Sequence, residues 1–197
     1  MVNISQGTKY ADLNEILPII SGEIWVPTRD SFPKKVSRYQ VGKNVYEIRD
    51  GTLDDVLGLL RRDREVAVSS DERFLRRLTI MGENPRVPIG FYQAGMSNRY
   101  PHTPELTYNY VSSGFRENGI GLTQGSDFLL SMLKMGDFDS AVLIPLSGRS
   151  KFYDGLGNFS SRKKIQCWTE YEIDLRDKNK VKKVLTERLK SMGIEIL

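Results

Sequence analysis

Four carboxylates, Asp71, Glu72, Asp127 and Asp154, stand where apolar runs end or helix-like segments begin. Acids gathered at one edge of a sheet can hold divalent cations, and such a cation activates water and stabilises a departing phosphate oxygen. Asp71 follows the run VAVSS at 66–70 directly, and Asp127 closes Gln124-Gly125-Ser126-Asp127 ahead of an apolar helix. The two therefore define a candidate catalytic and metal site. A plainer reading serves each alone, since aspartate caps a helix start and complements its dipole. Five bases stand downstream: Arg149, Lys151, Arg162, Lys163 and Lys164. A guanidinium grips phosphate through paired hydrogen bonds, so this group is the candidate nucleic-acid contact. The formal charge of +4, from 29 lysines and arginines against 25 acids, agrees with a nucleic-acid partner without demanding one.

With one cysteine (Cys167) and one histidine (His102), the chain can form no internal disulfide and cannot supply a nitrogen-and-sulfur zinc site. A metal held by oxygen ligands would be magnesium or manganese. The sparse cysteine suits a reducing compartment, and the opening MVNISQGTKYADL lacks a basic-then-apolar signal pattern. No stretch reaches the roughly 20 apolar residues that span a bilayer. These features lead to the expectation of a cytoplasmic protein with no membrane partner. Tyr100, Tyr108 and Tyr110, with Arg99 and Arg116, could stack unpaired bases, although such tyrosines more often lie half-buried with their hydroxyls at a rim.

The elements that would position these groups follow from periodicity. ADLNEILPIISG reads as a short amphipathic helix, EIWV as a strand, and VSRYQV with NVYEI as a hairpin turning at Gly42-Lys43-Asn44. Thr52 with Asp55 caps the helix LDDVLGLLRR. From residue 64 short apolar runs alternate with helix-like stretches. VAVSS, VPIGFYQ and SAVLIPL read as strands, and DERFLRRLTIMG, ELTYNYVSS and SDFLLSMLKM as helices; the second of these helices is announced by Thr103-Pro104-Glu105. FRENGIG reads as a short strand weakened by glycine. The last helix carries Val181, Val184, Leu185, Leu189 and Met192 on one stripe, and IEIL follows as a strand. Strands separated by helices predict an α/β fold: a three-layer, mainly parallel sheet flanked by helices. Residues 1–63 would form a small α+β portion containing the hairpin, and 64–197 the α/β domain.

Over about residues 66–168 this order of elements resembles the PIN/NYN family of magnesium-dependent ribonucleases. The likeness rests on Gln124-Gly125-Ser126-Asp127, on the strand beginning Asp139-Ser140-Ala141, on Ser147-Gly148-Arg149-Ser150-Lys151-Phe152, and on Asp71 in SSDERF. It implies Asp71 and Asp127 as metal ligands. It also exposes departures, because Arg149 and Lys151 replace the two acids of the family's last motif. Cations there repel a metal ion and suit a phosphate instead. The expected function is therefore a nucleic-acid-binding protein of nuclease-like fold, either a magnesium- or manganese-dependent phosphodiesterase or a relative that has lost catalysis. The alternatives are a non-catalytic structural or partner-binding subunit, and an enzyme acting on a small phosphorylated ligand.

Overall fold

The computed structural model describes residues 36–63, 75–81, 87–116, 118–144, 150–165 and 168–197. Along them run β1 (Ser37–Val41), β2 (Asn44–Asp50), α1 (Leu53–Asp63), β3 (Leu75–Met81), β4 (Pro88–Met96), β5 (Pro104–Val111), α2 (Ile120–Met135), β6 (Ser140–Leu143), α3 (Ser150–Asp154), β7 (Ser160–Ile165), β8 (Trp168–Asp174), α4 (Lys178–Ser191) and β9 (Ile194–Ile196). The strands form one sheet in the order β7-β8-β6-β5-β4-β3-β2-β1-β9. Each strand pair for which a register is defined is antiparallel except β5 with β6.

The expected mainly parallel sheet is thus corrected to a mixed, mostly antiparallel one. Two segments carry the error. LRRLTIM was expected to be helical and is β3; ELTYNYV, despite its helix-like opening, is β5. ELTYNYV is rich in β-branched and aromatic residues, which fit a pleated surface, LRRLTIM carries only Thr79 and Ile80 of that kind, and pairing with β4 on either side satisfies the backbones of both. Removing those two helices removes the crossovers that parallel neighbours need, and the strands join as antiparallel neighbours instead. The described residues of FRENGIG form no strand either: Phe115 ends a short 3₁₀ turn, and Ile120 and Gly121 open α2. The helix ADLNEILPIISG, the strand EIWV and the run VAVSS lie outside the described residues.

Local chemistry explains the remaining elements. Gly42, at φ 60°, supplies the left-handed turn between β1 and β2. Thr52 and Asp55 cap α1 reciprocally: the Asp55 amide donates to Thr52 Oγ1 at 3.2 Å and the Thr52 amide donates to Asp55 Oδ2 at 2.8 Å. Asp177 caps α4 by accepting from the Lys180 amide at 3.2 Å. Alternation along the strands divides the core between two faces. Tyr92, Ala94, Leu106, Leu143, Tyr171 and Ile173 pack with α2, α3 and α4, while Leu78, Ile80, Phe91 and Tyr110 pack with α1. No described helix is long and apolar enough to cross a membrane.

Candidate functional site

The one parallel pairing is also the briefest contact in the middle of the sheet. β5 and β6 meet only at Glu105 opposite Val142 and Leu106 opposite Leu143. Beyond Leu106, β5 continues to Val111 while β6 stops at Leu143, so β5 has no strand beside it there among the described residues. A register shift against β4 between Gln93 and Ala94 puts Thr107 into β5 as an extra residue at this point. Such a bulge bends its strand and increases the local twist, which turns β5 away from β6. The result is a seam in the sheet whose β5 edge can accept an extended chain of amides.

β5 leads from this seam to the start of α2. After Ser112 the chain makes a 3₁₀ turn at Ser113–Phe115, and α2 begins at Ile120. Gly119 stands before α2 at φ 75°, a conformation that glycine adopts without the cost a Cβ brings. Its carbonyl accepts from the amides of Leu122 and Thr123, both at 3.0 Å. The amides of the first turn have no partner inside a helix, and the positive end of the dipole lies there, so such a start suits an anion. Asn109, on β5, ties the two parts together by donating from Nδ2 to the Gly121 carbonyl at 3.1 Å. Arg116 lies exposed beside the turn; its Nε donates to the Val111 carbonyl at 3.0 Å and its guanidinium lies 5.9 Å from the Tyr110 ring centroid. The spacing Arg116, Gly119, Gly121 between an aromatic-rich strand and a long apolar helix was legible in the sequence as a glycine turn. It was hidden by reading FRENGIG as a strand.

Asp127 lies two turns into α2, 1% exposed. Its Oδ2 accepts from Tyr92 Oη at 2.7 Å, its Oδ1 accepts from Tyr39 Oη at 3.2 Å, and Arg77 Nε stands 3.5 Å from Oδ2. Both carboxylate oxygens are therefore engaged inside the core, and they fasten α2 to β1, β3 and β4. Burial first, and the Asp127 charge second, push the Tyr39 and Tyr92 hydroxyls well above their ordinary pKa. Unfolded, these phenols ionise near about pH 10; folded, they hold their protons longer. The folded chain then binds more protons above that pH, so stability is present below it and falls as pH rises past it. Urea midpoints measured from about pH 9 to about pH 11 should drop more steeply for the native chain than for Tyr92→Phe, given that reference value; equal slopes would overturn this account.

The other expected site residues are dispersed. Asp71, Glu72 and Arg149 lie outside the described residues. Asp154 accepts from Tyr171 Oη at 2.6 Å. Lys151 is exposed on α3. Arg162 and Lys164, opposite Tyr171 and Thr169, take the face of the sheet that carries α2, whereas Lys163, opposite Glu170, takes the other. The three therefore form no single basic patch. Among the described residues no three His, Cys, Asp or Glu side chains stand together as metal ligands.

On the α1 face, beside the seam, Tyr100, Arg99 and Lys163 gather around Glu170, an acid that no motif in the sequence singles out. Glu170, with 2% of its side chain exposed, accepts from Tyr100 Oη at 2.7 Å and faces Arg99 Nη1 at 2.5 Å. Arg99 also donates to Glu105 at 2.9 Å. Lys163 Nζ stands 3.3 Å from Tyr100 Oη, and the Tyr100 ring has Lys163 and Arg99 within 5.5 and 5.6 Å of its centroid. A separate hollow of about 280 Å³ lies under the 3₁₀ turn, lined in part by Arg62, Asp63, Ile89 and Ser112. Burial raises the Asp63 carboxyl, but hydrogen bonds from Ser112, Tyr110 and Arg62 outweigh it and hold the group below its ordinary value.

No family model and no curated protein sequence matches the chain. Among solved structures its fold is similar to that of an uncharacterised protein from Bacillus halodurans, with a TM-score of 0.56 at 11% identity over 81% of this chain and 100% of that one. Acetyltransferases are matched at lower scores. One from Thermus thermophilus gives 0.49 at 14% identity over 66% of this chain and 97% of that one. The PaiA N-acetyltransferase from Thermoplasma acidophilum, solved in complex with coenzyme A, gives 0.47 at 16% identity over 66% and 98%. At such identities the likeness concerns the fold. The observed sheet does not fit the PIN/NYN resemblance drawn over about residues 66–168, and that resemblance is corrected accordingly. That family's site needs parallel strands delivering acids to one edge; here the strands are antiparallel except at the seam. The expectations of a nuclease-like function and of a nucleic-acid partner are withdrawn with it.

Proposed function

We propose that the chain binds a phosphate-bearing ligand with an extended amide arm, of the coenzyme A type, and passes its acyl group to an acceptor on the far side of the sheet. Of the functions read from the sequence, an enzyme acting on a small phosphorylated ligand is the one this arrangement fits. The carrying observation is the conjunction of three features: among the described residues β5 has no strand beside it after Leu106, it carries a bulge at Thr107, and it is followed beyond a 3₁₀ turn by the glycine-started α2. Coenzyme A has a matching shape. Its pyrophosphate suits the first-turn amides and Arg116, its two amides suit an unpaired strand edge, and its thioester would then lie where the strands part.

Coenzyme A should bind the chain and raise its melting temperature, since a ligand at a hundred times its Kd stabilises by about 2.7 kcal/mol. Arg116→Ala should weaken that binding by roughly tenfold, the loss of about one charge-assisted contact. Calorimetry with coenzyme A at two salt concentrations measures both. The reading is lost if millimolar coenzyme A neither binds nor shifts the melting temperature.

A further inference from the structure

We infer that the hollow beneath the 3₁₀ turn is a binding site for a zwitterionic α-amino acid with an aliphatic side chain. It is separate from the seam, and its occupant takes no part in the proposed transfer. The charge on its wall, its apolar lining and its size lead there, and none of the three depends on coenzyme A.

Arg62 and Asp63 end α1, and both line the hollow. Arg62 Nε donates to Asp63 Oδ1 at 3.0 Å, so two opposite charges stand side by side. Each has a further anchor. Arg62 Nη2 donates to the Pro88 carbonyl and to Ser112 Oγ, both at 3.0 Å, and Tyr110 Oη donates to Asp63 Oδ2 at 2.8 Å. Burial works against the charge on Asp63, yet the bonds from Ser112, Tyr110 and Arg62 outweigh it and keep the carboxylate ionised. Capacity is left over on both sides. Arg62 Nη1 has no hydrogen-bond partner among the described residues, and carboxylate oxygens that each accept one bond can accept another. A ligand of one sign would meet a like charge beside the opposite one. A molecule carrying both signs on neighbouring atoms meets each with its complement, and the α-ammonium and α-carboxylate of an amino acid are such a pair.

Beyond the ion pair and the backbone of the turn, the lining is apolar. Ile89 is buried, Met81 and Phe115 pack against it, and Val87 stands at the rim, 39% exposed. Apolar surface joined to a few fixed polar groups is what orients a small molecule, and here the apolar part suits an aliphatic side chain. Size narrows the class. The hollow measures about 280 Å³. A water occupies about 30 Å³ of its liquid, which leaves room for about nine bodies of that size. That volume suits valine, leucine or isoleucine, and it falls below the roughly 300 Å³ at which pockets for larger ligands begin.

The turn above the hollow is closed by two backbone bonds, from the Phe115 amide to the Ser112 carbonyl at 2.9 Å and from the Arg116 amide to the Ser113 carbonyl at 3.3 Å. An occupant held by Arg62, itself bonded to Ser112, would brace both.

The test uses the full chain without coenzyme A and L-leucine as the probe. Calorimetry should show saturable binding. 4-Methylpentanoate lacks the ammonium and 3-methylbutylamine the carboxylate; each should bind about tenfold more weakly or worse, the loss of one charge-assisted contact. Glycine, which has no side chain to bury, should bind more weakly as well. Val87→Trp changes an exposed position and leaves the ion pair intact, so it should block leucine while the melting temperature of the free chain stays near the native value. Asp63→Asn still accepts from Tyr110 and should lower leucine affinity by about tenfold. Leucine should also slow hydrogen exchange at the Phe115 and Arg116 amides. No heat with millimolar leucine overturns the assignment, as do analogues that bind as well as leucine, unchanged binding by Val87→Trp, or unchanged exchange at those two amides in the bound chain. Each of these results leaves the coenzyme A reading untouched.

Discussion

Replacing Asp127 with alanine should lower stability by about 3–5 kcal/mol, the usual penalty for breaking a buried ion pair. The loss arises from what stays behind. Arg77, 1% exposed, keeps its bond from Nη2 to the Ile48 carbonyl at 2.9 Å and its distant partner Asp50 at 3.8 Å, but loses the closer carboxylate. Two phenols, on β1 and β4, lose their acceptor in the same step. Tyr92→Phe, which removes a single bond to a charged group, should cost less, about 1.5–3 kcal/mol. Urea denaturation reads both values, and an unchanged midpoint for Asp127→Ala would show that the network contributes nothing. The residue type at 127 admits a metal ligand or a core anchor; the two tyrosines and the arginine decide for the anchor in this fold, and they come from three other strands.

Gly90→Ala should be comparably damaging, at about 3–5 kcal/mol. A Cβ at this position would lie 2.6 Å from the Tyr110 carbonyl oxygen and 2.8 Å from Gln124 Nε2. The carbonyl belongs to the backbone of the neighbouring strand and cannot swing aside. Overpacking of this kind costs about 1–3 kcal/mol. Displacing Gln124 would add the loss of its bonds to Thr79 Oγ1 at 2.8 Å and the Tyr110 carbonyl at 3.2 Å, about 1 kcal/mol each. Gln124 and Asp127 are three residues apart and share one side of α2, so both predictions probe the same attachment of helix to sheet. If the argument is right, Gly90→Ala combined with Gln124→Ala should be less harmful than the sum of the two changes, because the amide no longer has to be moved. Strict additivity in urea midpoints would speak against it.

How far the sequence could be read depends on where each signal resides. The helices at 53–63 and 178–191 announce themselves through caps and an apolar stripe, which are local properties, whereas α2, expected to start at Ser126, begins at Ile120 behind Gly119 with no side-chain cap. β3 and β5 do not. Leu75 to Met81 carries apolar residues at spacings that suit a helix as well as a strand, and Thr103-Pro104-Glu105 is a good helix start that the chain uses to enter a strand. Their assignment depends on β4, which pairs with both, and pairing partners are distant in sequence. The candidate site was obscured for the same reason. Glu170 and Tyr100 are seventy residues apart and look like an ordinary strand acid and an ordinary loop tyrosine until β8 and the 97–103 connection bring them together. The glycine turn at 119–121 was the one local clue, and it was masked by the misplaced strand.

Among the described residues two pairs fasten β5 to β6, and this divides the sheet mechanically. On one side β1 to β5 and β9 form a continuous antiparallel block; on the other β6, β7 and β8 form a second. Helix α2 bridges the blocks, but among the described residues the line between them has the fewest paired residues of any two neighbouring strands. Small rotations of one block against the other can therefore widen or narrow the gap while leaving each block internally intact. A molecule laid along that line would act as a temporary strand, stiffening the sheet where the protein itself left it compliant.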